Sequence, residues 1–196
     1  MEISLSEKAI GRHLVTVFGK RPRIFVHRES ENDTFYVAIA RVEDYPEAGM
    51  VTMSTIGASN APIYKDDGSI YKDTRVEFIA SCKSGQEDDL SEALFRAAAY
   101  VGKVKGFACP GIFLHNLFGM FRPATSVPHA LLTSPFAYDG LGKPSEFAGR
   151  IVSWLLVLPV SASEIDYAQQ HSSDALETVF EEQDIEWESL DRTPAI

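Results

Sequence analysis

Residues Ile151 to Val160 read IVSWLLVLPV, and Ser161-Ala162-Ser163-Glu164 follow directly. Apart from Ser153 and Pro159 every position in the run is apolar, and polar and apolar residues do not alternate. A strand with one wet face alternates. A short unbroken apolar run rich in branched residues and closed by proline predicts a central strand covered on both faces. Ten residues is also far short of the roughly 20 that a membrane-spanning helix requires.

Such a strand needs neighbours beside it and helices above and below it, and the flanking sequence supplies candidates. After the run, Ser163 is expected to cap a helix, with Asp166 three residues on. A second helix is expected from Ser172 or Ser173, with Leu176, Val179 and Phe180 on one side and Glu177, Glu181 and Glu182 largely on the other. Towards the N-terminus, Ser6 is expected to cap a helix whose Ile10, Leu14, Val17 and Phe18 share a face and which Gly19 ends. Strands are expected at 23–28 and 34–40, joined as a hairpin through Asn32-Asp33, and again at 49–55 and 75–81. Lys65-Asp66-Asp67-Gly68 reads as a turn. Leu90, Ala93, Leu94, Ala97, Ala98, Val101 and Val104 follow helical spacing, with Asp88 or Asp89 as the expected cap and Gly106 beyond the end. Between Gly106 and Pro144 the Gly-, Pro- and aromatic-rich sequence shows no period, only short apolar pieces at 112–114 and 130–132. Strands and helices without regular βα alternation predict an α+β fold with a mixed or antiparallel sheet flanked by helices.

Composition agrees with one globular domain over residues 1–196: 45% of residues are hydrophobic and 23% charged. A chain of this length buries roughly 70% of the surface it exposes when unfolded, so staples are not required. No linker-like stretch and no internal repeat is visible. The opening MEISLSEKAIGRHL lacks a basic region followed by an apolar one, and Cys82 and Cys109 lie far apart, so a cytoplasmic, reducing location is expected.

Charge is distributed unevenly. The net charge is −10, and the acidic segment 164–192 alone holds ten acids and one base, which leaves the rest near neutrality. One sign gathered at one end disfavours nucleic acid and anionic membranes and favours a protein partner with a basic surface. The plainer alternative is a set of solvated helix faces that aid solubility.

Sequence signals for chemistry are sparse. The chain has no G-x-S-x-G elbow, no phosphate-binding glycine loop and no G-x-G-x-x-G fingerprint. Its five histidines and two cysteines show none of the usual metal-ligand spacings, so neither metal nor cofactor is expected. Cys109 with His115 or His129 is the one nucleophile pairing that can be assembled, against the commoner case of a packed thiol.

Several of these stretches together resemble the Suppressor of fused domain family. The most specific is Trp154-Leu155-Leu156-Val157-Leu158-Pro159-Val160-Ser161-Ala162-Ser163-Glu164, then Tyr167-Ala168, Asp174-Ala175-Leu176-Glu177, Val179-Phe180-Glu181-Glu182 and a closing Asp191-Arg192. Thr52-Met53-Ser54-Thr55-Ile56-Gly57-Ala58-Ser59 is similar to a Thr-x-Ser-Thr-x-Gly-x-Ser strand and turn, and 75–79 and 131–135 match more weakly. Ser172-Ser173 departs from the pattern, which would place a glycine between the two final helices. The resemblance implies an α+β domain without enzymatic activity, in the bacterial single-domain form, some members of which are immunity proteins against toxins. The animal family member is a larger regulator that binds Gli-type transcription factors, partly through an added peptide strand.

The expected function is therefore a non-enzymatic protein-binding module, an immunity protein against a basic, nuclease-like toxin. The partner would meet Glu177, Glu181, Glu182, Asp184 and Glu186, with Trp187 and Ile185 as apolar anchor. A peptide-binding scaffold that uses the exposed edge of strand 23–28 is the alternative, and a thiol enzyme built on Cys109 the third reading.

Overall fold

The computed structural model describes residues 3–30, 33–65 and 67–196. In chain order the elements are α1 (Leu5–Phe18), β1 (Arg23–His27), β2 (Val37–Glu43), β3 (Met50–Ile56), a 3-10 turn (Ala58–Asn60), β4 (Thr74–Lys83), α2 (Glu87–Gly102), β5 (Phe113–Leu114), β6 (His129–Thr133), β7 (Ser145–Phe147), β8 (Arg150–Val160), α3 (Ala162–His171) and α4 (Ser173–Glu182). The expected central strand is β8. It runs parallel to β4 on one edge, and its other edge pairs antiparallel with β7 near its start and β6 near its end. Every residue from Trp154 to Val160 is buried, as cover on both faces demands. Pro159 lies beyond the last residue of β8 paired with β4, so its missing N–H costs no ladder bond on that edge. The sheet is mixed and eight-stranded, in the order β1-β2-β3-β4-β8-β6-β5 with β7 beside β8. The α+β expectation holds.

Register assigns the helices to faces, because directly paired residues point the same way. His27 stacks on Phe95 of α2 at 4.5 Å, and Arg41 reaches Glu87 of α2 at 3.2 Å. Their face carries Phe25, Val37, Ile39 and Met53. The opposite face carries Ile24, Val26, Ala38, Ser54 and, through Ile79↔Leu156 and Glu77↔Trp154, the indole of Trp154. His13 of α1 lies 5.5 Å from that indole, so α1 and α2 cover opposite faces.

The Thr52–Ser59 stretch works through its hydroxyls. Thr52 Oγ1 meets Ser81, Ser81 meets Tyr138 at 2.7 Å, and Trp154 Nε1 donates to Ser54 at 3.0 Å. Glu77 of β4 is fully buried and takes five bonds: from Thr55 Oγ1 (2.5 Å), Gly57 N (2.9 Å), Ala58 N (3.2 Å), Ser59 N (3.1 Å) and Ser59 Oγ (2.6 Å). All five are donors, which suits an ionised carboxylate that can only accept. On balance this carboxyl is pushed up: burial raises it, and the bonds from Ser59, Thr55 and Gly57 offset only part of that. Gly57 sits at φ +114, and a Cβ there would come within 3.0 Å of Glu7 Oε1, so the turn that closes over Glu77 requires glycine.

Several expected boundaries are corrected. Ser4, not Ser6, caps α1, and Ser161, not Ser163, caps α3; each forms a capping box with the glutamate three residues on, Glu7 and Glu164. Neither Asp88 nor Asp89 caps α2. Its N-cap is Gln86, without a side-chain bond, and Glu87, Asp88 and Asp89 lie in the first turn, where they favour the helix dipole. Strand β2 begins at Val37 instead of Thr34. Asn32 of the expected hairpin turn and Asp66 of the 65–68 turn lie outside the described residues. Ser172 stands at φ +119, where the family pattern places glycine, and its side chain accepts from Ala175 N to cap α4. The hydroxyl gained there offsets part of the backbone strain.

The five-donor cage predicts a large loss for a small deletion. Glu77→Ala should lower stability by about 3 kcal/mol and Thr55→Val by about 1–2 kcal/mol, since buried donors are left unpaired. Urea unfolding checks this through the midpoint at unchanged slope.

Candidate partner-binding site

The acidic segment does not trail into solvent. Arg192 is buried and donates to both oxygens of buried Glu164, each at 2.7 Å, and to the Pro159 carbonyl at 2.8 Å. Its guanidinium also lies 5.0 Å from the centre of the Phe180 ring of α4. Glu164 in turn accepts from Ser161 N (2.7 Å) and Ala195 N (2.8 Å). One ion pair therefore joins the end of β8, the start of α3, the apolar face of α4 and the closing segment.

This arrangement fixes where α4 presents its acids. Glu177 accepts from Thr133 Oγ1 at 2.8 Å, and Thr133 pairs with Leu156, which places α4 on the α1 face of the sheet. Residues 183–187 then turn back so that Trp187 packs edge-on to Phe136 (5.6 Å) and Tyr138 (6.2 Å). Between them lies a cleft of about 550 Å³ with Phe136, Leu158, Phe180, Ile185 and Trp187 as apolar walls and Asp174, Glu177, Glu181 and Asp184 at its rim.

Of the expected partner-binding residues, Glu177, Glu181, Asp184 and Trp187 line this cleft. Glu182 is exposed on α4 but does not line it. Glu186 faces Lys83 at 2.8 Å, so part of its charge is already compensated. Glu164 and Asp191 are likewise paired, with Arg192 and Arg122. Among the described residues Glu181, Glu182 and Asp184 enter no ion pair. Trp187 is half-buried, so one side of the indole supports the fold and the other faces the cleft. Ile185, expected beside Trp187 as an apolar anchor, lines the cleft too, whereas Phe136 and Leu158 were not among the expected site residues. Phe136 sits in the aperiodic stretch, and Leu158 reads as core.

The thiol pairing has little geometric support. Cys109 Sγ donates to the Pro110 carbonyl at 3.4 Å, and burial pushes its pKa up, away from the thiolate a nucleophile needs. His129 Nδ1 accepts from Asn116 N at 2.8 Å, and its ring meets His115 edge-on at 5.5 Å. No described hydrogen bond links Cys109 to either histidine.

Solved structures share this architecture. A chain of the Sufu–Fu complex superposes with a TM-score of 0.70 at 12% identity, over 99% of this chain and 93% of that one. A SUFU homologue from Neisseria gonorrhoeae FA 1090 gives 0.69 at 18% identity, over 97% of both chains. Drosophila Suppressor of Fused gives 0.66 at 12% identity, over 97% of this chain and 51% of that longer one. The fold is that of Suppressor of fused domains. By sequence, the model of the Suppressor of fused protein (SUFU) family matches residues 33–193, and the chain belongs to that family. Among curated proteins it is 28% identical over 188 residues, 95% of each chain, to Immunity protein YqcF of Bacillus subtilis (strain 168).

Two outcomes test this geometry. Arg192→Ala should cost about 3–5 kcal/mol by orphaning Glu164, whereas Glu164→Gln with Arg192→Met should cost clearly less than the two single changes summed; a double-mutant cycle in urea measures the difference. The Cys82 thiol, buried and pushed up to about 12, should resist iodoacetamide at about pH 8 until the chain unfolds, as mass spectrometry of the alkylated protein would show.

Proposed function

We propose that this chain is a non-enzymatic binding protein of the immunity type, which holds a toxin with a basic surface through the α4 cleft. The observation that carries this reading is the combination at one place: an apolar floor with a half-buried indole, ringed by Asp174, Glu177, Glu181 and Asp184. Aromatic anchors in a desolvated pocket supply binding energy, and rim charges supply orientation and association rate. The name of the Bacillus subtilis relative supports the immunity role, and the solved Sufu–Fu complex supports a protein partner in this family. A nuclease-like toxin must expose a basic groove to its own substrate, and such a groove is what an acidic cleft complements.

Steering of this kind can carry association to about 10⁸–10⁹ M⁻¹s⁻¹ at low salt. Pull-down from the native host names the partner, and surface plasmon resonance against that protein provides the test. Exchanging Glu177, Glu181, Glu182 and Asp184 for lysine should slow association by about tenfold or more and flatten its salt dependence. Trp187→Ala should instead raise the dissociation rate. Unchanged kinetics in the lysine variant would remove α4 from the interface.

A further inference from the structure

The opposite pole of the molecule is basic. From Lys8 to Arg28 the chain holds six bases (Lys8, Arg12, Lys20, Arg21, Arg23 and Arg28) and no acid, although the whole carries −10. Lys20 is engaged with the carbonyls of Glu43 and Asp44, the latter at 3.2 Å. Lys8, Arg12, Arg21, Arg23 and Arg28 are exposed, and none takes part in the ion pairs among the described residues.

These bases surround an open sheet edge. β1 pairs with β2 on one side and ends the sheet on the other, so its outer backbone N–H and C=O groups have no strand partner among the described residues. Ile24 is 55% exposed, Phe25 38% and Val26 40%, although they sit mid-strand. Ile24 and Val26 look into a groove of about 340 Å³ between β1 and α1, whose other walls include Ile3 and Val15 and whose mouth holds Lys8, Arg12 and Arg21. Glu7 also lines it, accepting from two neutral donors, Ser4 N (2.7 Å) and Asn60 Nδ2 (3.1 Å), so the lining sets three bases against one acid.

We infer that the β1–α1 groove is a second docking site, which takes an extended, acid-flanked peptide segment of a protein partner as an added antiparallel or parallel strand on β1. The open ladder selects an extended polypeptide, because only a backbone with alternating donors and acceptors satisfies it. The groove selects apolar side chains at every second position of that peptide, since successive side chains of a strand point to opposite faces. The exposed bases select acids beside them. A second copy of β1 fits poorly: antiparallel self-pairing about the strand centre sets Arg23 and Arg28 of each copy against the basic end of the other. This site lies at the far edge of the sheet from α4, so it is independent of the cleft proposed above.

The probe is a fluorescein-labelled peptide, Asp-Glu-Val-Thr-Ile-Thr-Val-Glu-Asp, read by fluorescence anisotropy with the full chain. Binding should weaken by about tenfold in the Arg12→Glu, Arg21→Glu double variant, whose substitutions lie on exposed positions and leave the fold intact. It should stay unchanged in Glu181→Lys, which separates this site from the cleft. Hydrogen exchange should show new protection at residues 24–27 on peptide addition. Equal binding of a lysine-flanked version of the peptide, or absence of protection in β1, would overturn the inference. So would stronger binding of single-stranded DNA or of phosphatidylserine–phosphatidylcholine vesicles, or a dimer of the chain alone that the double variant disrupts.

Discussion

A carboxylate and a guanidinium, both withdrawn from water, meet in two parallel bonds where β8 ends. Taking each ion out of water costs several kcal/mol, and their attraction offsets that only if the remaining donors and acceptors are satisfied. Glu164 receives further bonds from Ser161 and Ala195, and Arg192 gives others to the carbonyls of Pro159 and Thr193, so that among the described residues only its Nε is left buried without a partner. The pair therefore works as a latch whose two halves lie 28 residues apart. Everything between them, α3, α4 and the returning strap that carries Trp187, is a loop closed by this contact. Buried Leu176, Phe180 and Leu190 anchor the same loop, and the pair fixes its closing end, so that the acidic residues line a shaped cleft.

The other carboxylate with no exposed surface, Glu77, is handled differently. Among the described residues Glu77 enters no ion pair and is held by hydroxyls and amide N–H groups of the strand and turn that follow Thr52. This gives a physical meaning to the spacing of the Thr-x-Ser-Thr-x-Gly-x-Ser stretch. Ser54 serves Trp154, Thr55 and Ser59 serve Glu77, and Gly57 permits the turn that aims the amides inward. Polar residues in a core are usually a cost. Here they join β3, β4 and β8 across the centre of the sheet.

How much was legible before the structure follows from which forces are local. The continuous apolar run of β8 and the period of α2 announce themselves, because burial alone shapes them. The misplaced caps of α1 and α3 share one cause. Both starts read Ser-x-Ser-Glu, and the first serine wins each time because it stands three residues before the glutamate that answers it. The 106–144 stretch hid its strands because they are only two and five residues long and exist through pairing with β8 and each other. The charged half of the cleft was visible as composition. Of its apolar half only Trp187 and Ile185 were, since Phe136 and Leu158 reach it from parts of the chain whose proximity is purely tertiary.

The placement of bases around β1 and of acids around α4 has one more consequence. Five inter-strand steps separate β1 from β6, about 24 Å at ordinary strand spacing. Opposite charge held that far apart on a rigid sheet is a permanent electric dipole. In the field of a charged neighbour such a body feels a torque as well as a pull. Its tumbling becomes biased within about a Debye length, roughly 8 Å at physiological salt, and it arrives already turned.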